Sequence, residues 1–182
     1  MFSFLVPLLG VLAIVLNAIG MAIKDLIKTK ILLGTSVVFI IPDLYQSGGI
    51  HGVYQSVIIA LMYYVGALEY RKLERAILYS IPFFSIFLLL GLKEYEGLFL
   101  VLASITTPLA TISKDSLKMK LLLLVSTFSW GTYAFLMEAW FAFAFDLLGL
   151  FALAYFFGEY RREKKARKLL EKVCEKTIEE LC

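Results

Sequence analysis

The sequence predicts an all-α membrane protein: seven transmembrane helices, arranged as two parallel three-helix units joined by a linking helix. Three observations carry this. The 182-residue chain is 60% apolar or aromatic with a mean hydropathy of +0.83, well above the apolar share of a soluble domain. Its charges are few and clustered, and stretches such as 2–23 and 76–92 hold no acidic or basic side chain. A soluble core can hide one all-apolar helix but not a chain built almost entirely of them. Finally, the first and last thirds of the chain match at a fixed offset.

The expected spans are 2–23, 31–44, 52–68, 76–92, 98–113, 121–136 and 140–158. The first has no basic region before it and no convincing small-residue cleavage site, so it reads as a retained helix and not a signal peptide. The second is short for a bilayer unless it continues through Leu44-Tyr45-Gln46, and Pro42-Asp43 is expected to end it. The fourth is the linking helix, and the fifth carries Thr107-Pro108. Tyr63, Tyr64, Tyr70, Trp140 and Tyr160 are interfacial candidates. The organisation is then a membrane domain over 1–165, with repeat one at 1–75, the linking helix at 76–92 and repeat two at 97–165. An amphipathic cytoplasmic tail follows at 166–182.

Orientation follows from the basic residues. Lys24, Lys28 and Lys30 fall in the first connection, Arg71, Lys72 and Arg75 in the third, Lys114, Lys118 and Lys120 in the fifth, and eight more after Tyr160. Of the 18 Lys and Arg, 17 therefore lie on one side, with Lys93 the exception. The positive-inside rule puts that side in the cytoplasm, the N-terminus outside and the C-terminus inside a cell membrane. The alternation requires an odd number of crossings. Cys174 and Cys182 fall in the cytoplasmic tail, where thiols stay reduced.

The internal match is an ungapped shift of 90 residues. Lys24, Asp25, Lys28 and Lys30 fall on Lys114, Asp115, Lys118 and Lys120, and Leu32, Leu33 and Ser36 fall on Leu122, Leu123 and Ser126. Further on, Glu69-Tyr70-Arg71 meets Glu159-Tyr160-Arg161. Leucine matches between apolar helices arise cheaply, but matched charges at both ends of a hairpin do not. With one crossing between the units, both have the same orientation, a parallel repeat about an axis along the membrane normal.

With these features the chain resembles the SWEET (MtN3/saliva) sugar facilitators and their PQ-loop relatives, which share the three-plus-one-plus-three plan. Thr107-Pro108-Leu109 is similar to the Ser-Pro-Leu of the second MtN3 unit. The segment from Ser126 to Tyr133, with Trp130, resembles the sixth helix that carries a pocket tryptophan, and Asp146 falls where those transporters have a pocket asparagine. Across the whole membrane domain, roughly 5–165, the chain is most similar to the YgjV-like inner-membrane proteins, a family that implies no particular activity. The first unit departs from the SWEET pattern: Asn17-Ala18 stands where Pro-Gln is expected, and Ile40 and Ser56 are the 90-residue counterparts of Trp130 and Asp146. No sugar specificity carries over.

Asp146 is the most informative residue. Six residues in from Trp140, it lies on the order of 9 Å below the outer interface. A bare carboxylate there is costly, and the expected spans hold no Lys or Arg to pair with it. It is expected to be protonated, hydrogen-bonded to Gln55, Ser56 or Tyr133, or ready for a cation or a hydroxylated solute. Trp130 reads either as a stacking platform or as packing between helices. Pro108, after two threonines able to satisfy a freed carbonyl, reads as a gating hinge with Thr107 or as a static kink.

The expected function is transport of a small polar solute between the two units, with proton coupling open and Asp146, Trp130, Gln55 and Ser56 forming the binding site. A non-transporting seven-helix receptor or assembly partner is the alternative. No catalytic set, phosphate-cradling loop or metal-ligand cluster is present in the sequence, and His51 stands alone in a glycine-rich loop. The expectation is therefore no enzyme, no cofactor and no metal. The basic tail is adequately explained by anionic lipid, without nucleic acid, and homo-oligomerisation stays open.

Overall fold

The computed structural model describes residues 2–69, 72–73, 75–76, 79 and 96–181. Among them there are six helices and no strand: α1 (Phe2–Ala22), α2 (Leu26–Gln46), α3 (Ile50–Ala67), α4 (Glu96–Ile112), α5 (Ser116–Leu136) and α6 (Trp140–Leu181). Four contain segments long and apolar enough to cross a membrane, namely Leu5–Ala22, Ile50–Ala67, Ser116–Leu136 and Trp140–Glu171, and Leu98–Ile112 is a shorter apolar helix. The linking helix expected over 76–92 lies outside the described residues, apart from Ala76 and Tyr79.

Apolar side chains lie both in the core and on the outer surface. On α1, Leu5, Leu8, Leu12, Val15 and Ile19 are exposed at helical spacing, while Val6, Ala13, Asn17 and Met21 are buried. The buried set joins apolar residues such as Leu33, Leu100 and Phe156 with Ser and Thr and with Asn17, and large apolar side chains such as Phe128, Phe151 and Tyr155 point outward. Such a pattern suits hydrocarbon outside and satisfied polar groups within.

The helix boundaries repeat. Asp25 caps α2, its carboxylate accepting from Lys28 N at 3.0 Å, and Asp115 caps α5, accepting from Leu117 N at 2.8 Å and Lys118 N at 3.3 Å. Capping supplies partners to the unpaired N–H groups of a first turn. The matched Lys-Asp motifs are therefore helix starts, and α2 and α5 begin five residues before the expected spans. The opposite ends match too. Ser47, Gly48 and Gly49 donate to Asp43, Tyr45 and Leu44; Met137, Glu138 and Ala139 donate to Tyr133, Phe135 and Ala134. Gly48 (φ 81°) and Glu138 (φ 56°) both take the left-handed conformation that closes these turns. Every one of these pairs is separated by 90 residues. Pro42 does not end α2, which runs on to Gln46.

The six helices close into a ring. Each packs on the next in chain order, and α6 returns to α1. Along α1, Gly10 faces Phe141, Asn17 bonds the Phe145 carbonyl and Lys24 pairs with Glu163, so α1 and α6 run parallel. Along α3, Gln55 Nε2 donates to Leu100 O and Gly66 abuts Thr111, so α3 and α4 are parallel as well. At Gly66 a Cβ would lie 2.4 Å from Thr111 O, so only glycine lets the two backbones approach. Helix α6 continues unbroken for 42 residues, about 60 Å, longer than a bilayer is thick, and its side chains are exposed from Arg161 to Glu171.

The expectation that no cation lies within a span is wrong. Lys30 and Lys120, placed in loops by the sequence, are buried inside α2 and α5 at 2% and 0% exposure. Their ammonium groups reach the unpaired carbonyls at helix C-termini, Lys30 Nζ donating to Gly66 O at 2.9 Å and Lys120 Nζ to Gly20 O at 2.7 Å. Lys120 also sits 5.4 Å from the Phe156 ring centroid. A helix C-terminus carries partial negative charge, and this repays part of the cost of burying an ammonium ion. Lys120→Ala should lower stability by about 2–3 kcal/mol, read as a fall in the detergent melting temperature, whereas exposed Lys118→Ala should leave it nearly unchanged. Equal effects would show that the buried ammonium is not holding α5 to α1.

Candidate functional site

At the centre of the ring is a cavity of about 50 Å³, room for roughly three or four waters. Asn17 and Met21 reach it from α1, Val37 and Ile40 from α2, Ser56 and Tyr63 from α3, Thr107 from α4, Ser126, Thr127 and Trp130 from α5, and Phe145 and Asp146 from α6. Six pairs of its lining residues are separated by 90 positions: Asn17 and Thr107, Leu33 and Leu123, Val37 and Thr127, Ile40 and Trp130, Leu44 and Ala134, Ser56 and Asp146. The first and last three helices thus present corresponding positions to a shared space.

Asp146 is 7% exposed, and no described residue gives it a hydrogen bond or an ion pair. Gly131 on α5 makes its approach possible, since a Cβ there would lie 3.2 Å from Asp146 Cβ. A shallow apolar groove of about 320 Å³ between α5 and α6, opening outward past Phe128 and Leu147, also reaches Asp146. Apart from the carboxyl, that groove is lined by apolar residues and the Thr127 and Thr132 side chains.

Asn17 lies across the site, 1% exposed. Its Nδ2 donates to Phe145 O at 2.8 Å, and its Oδ1 has no partner. Gly149 makes this bond possible, because a Cβ there would come within 2.8 Å of Asn17 Nδ2. Thr107 and Ser126 hydroxyls bond each other and join α4 to α5 at the cavity wall. Trp130 is held edge-on to Tyr133, centroids 5.9 Å apart at 83°, and the Tyr133 ring packs against Gly52 of α3.

Asp146, Trp130, Ser56 and Thr107 therefore line one cavity. Gln55 does not. Its side chain lies in the α3–α4 contact, donating to Leu100 O at 3.3 Å, and its Oε1 is buried without a partner. One residue along a helix turns a side chain by about 100°, enough to aim Ser56 inward and Gln55 sideways. Pro108 lies inside α4, which continues through it to Ile112. Of the two threonines before it, Thr106 bonds Leu102 O and Thr107 turns across to Ser126. Tyr63, expected at the interface, is 4% exposed and in the cavity wall. Sequence reasoning missed Asn17, although the 90-residue offset maps it onto Thr107 and would have singled it out.

The chain matches the model of the Imp-YgjV family, described as bacterial inner membrane protein, over residues 4–166, and it belongs to that family. No curated protein and no solved structure matches it.

The close fit at Gly149 has a direct consequence. Gly149→Ala should displace Asn17 and cost about 1–3 kcal/mol through overpacking. Gly158→Ala on the same helix meets nothing within 4 Å and should gain about 0.5–1 kcal/mol from helix propensity. Paired melting curves check both, and opposite shifts are expected.

Proposed function

From membership of an inner-membrane family and the geometry of the ring, we propose that this chain is a facilitator of a small polar solute, working by alternating access between two parallel three-helix units. The observation that carries this reading is the central cavity, walled by residues paired at 90-residue spacing and holding one unpaired carboxyl, that of Asp146. Two units with the same direction need one further crossing between them. The parallel run of α3 and α4 supports it, since the chain leaves α3 at one side of the layer and must start α4 from the other. The stretch 76–92 is apolar enough to make that crossing as the linking helix of a SWEET-like plan. Basic residues at the α1–α2 and α4–α5 turns and after Tyr160 support an outside N-terminus and a cytoplasmic C-terminus.

Contacts between the two units lie toward both ends of the helix layer. On the proposed cytoplasmic side Lys120 of unit two holds Gly20 of unit one, and Lys24 pairs with Glu163. On the outer side the Asp43 carboxylate accepts from Ala142 N at 2.9 Å, in the first turn of α6, and Tyr133 packs on the first turn of α3. Rocking one unit against the other would break one set while keeping the other. The arrangement corresponds to an occluded state, in agreement with a cavity far smaller than the roughly 300–1,000 Å³ of an open ligand site.

The experiment is Asp146→Asn, which keeps shape and hydrogen-bonding capacity but removes charge and titratable proton. Mass spectrometry identifies small solutes retained by the purified wild type, and vesicle uptake of those solutes is then compared. The variant should melt as the wild type does, retain none of them and lose uptake. Normal uptake by Asp146→Asn together with a large fall in the melting temperature would make Asp146 a structural residue and remove the proposed site.

A further inference from the structure

The donor and acceptor balance of the cavity restricts what can enter it. Asn17 donates one amide hydrogen to Phe145 O, and its Oδ1 is buried without a partner among the described residues. Asp146, when ionised, is acceptor-only. The Thr107 and Ser126 hydroxyls bond each other, which uses one of their two protons. Among the described residues no Lys, Arg or His lines the space, and Lys120 is turned away to Gly20 and Phe156. The wall therefore sets two buried acceptors, the Asp146 carboxylate and Asn17 Oδ1, among the hydroxyls of Ser56, Tyr63 and Thr127 and the indole of Trp130, with no cationic side chain from a described residue to balance the carboxylate.

A guest that completes such a site brings N–H donors, a positive charge and some hydrocarbon. We propose that the cavity takes a small primary ammonium ion of about three or four heavy atoms, its N–H groups shared between Asp146 and Asn17 Oδ1 and its carbon chain against Trp130. The size follows from the cavity volume of about 50 Å³, and the proposal rests on the reading of this cavity as the solute site. A sugar is too large for a cavity of about 50 Å³ and carries no positive charge to set against the carboxylate. A bare metal cation would use the oxygens but leave the apolar wall and Trp130 without a role. Aromatic faces and carboxylates together are a recurrent way to hold an organic cation in a desolvated space.

The test uses the full chain in vesicles of phosphatidylcholine and phosphatidylglycerol at pH 6, where ethylamine is charged and does not leak through lipid as the free base. Radiolabelled ethylammonium uptake and the detergent melting temperature are both measured. Tetramethylammonium, which has no N–H donor, sodium ion and glycerol serve as comparisons. Uptake should saturate and be competed by methylammonium but not by tetramethylammonium. Asp146→Asn and Asn17→Leu should each reduce it by about tenfold or more, and ethylammonium should raise the melting temperature of the wild type but not of Asp146→Asn. Transport of glycerol or sodium without ethylammonium would overturn the ammonium assignment and leave the facilitator reading standing. A melting shift with ethylammonium but no uptake would keep the ammonium site and overturn the facilitator reading. Neither a shift nor uptake, or full uptake by Asp146→Asn, would overturn the proposal.

Discussion

Hydrocarbon offers no hydrogen-bond partner, so every polar group carried into the membrane must be answered from within the chain. An unpaired group there costs several kcal/mol. The ring of six helices meets this demand by turning Leu, Val and Phe outward and Ser, Thr, Asn, Lys and Asp inward. Hydroxyls bond back to helical carbonyls, as at Ser36, Ser129 and Thr111, and the two buried ammonium groups sit on the carbonyl ends of neighbouring helices. Against that background the exceptions stand out. Among the described residues the buried side-chain atoms without a partner are Asn17 Oδ1 and Gln55 Oε1, and Asn17 opens onto the space that also holds Asp146.

The energies involved suit a structure that changes shape. Lys24 and Glu163 are both about half exposed, and a solvent-screened ion pair so placed contributes little. The Lys120 bond to Gly20 and the Asp43 bond to Ala142 are charge-assisted, each worth about 1.5–3 kcal/mol. Contacts of this size hold a conformation without making it permanent. The glycines at 66 and 149 permit the close approach of α3 to α4 and of α1 to α6.

Much of this was legible in the sequence because it depends on periodic signals. Apolar runs and matched charges 90 residues apart located most of the helices and paired α2 with α5 to the residue. Ser56, Thr107, Trp130 and Asp146 could be singled out because polar or aromatic groups are rare inside such runs. What sequence reasoning could not supply is side-chain direction. Gln55 and Ser56 are neighbours in sequence yet face different helices. The two lysines read as loop residues because charge marks a span's end in hydropathy; a long aliphatic stem and a nearby helix C-terminus bring them inside. Pro42 read as a terminator, although a proline near a helix end can be carried when neighbouring helices hold the segment.

The central claim is that one cavity is reached from both sides of the membrane in turn. Ser56 lines it and is 3% exposed in the closed form, so a cysteine there reports any opening. With Cys174 and Cys182 replaced by serine, Ser56→Cys should react with a membrane-impermeant thiol reagent added to right-side-out vesicles and, in a separate sample, to inverted ones. Both rates should be slow, and both should fall when the cavity is occupied. Reaction from one face alone would describe a receptor-like pocket with a single entrance and would contradict alternating access.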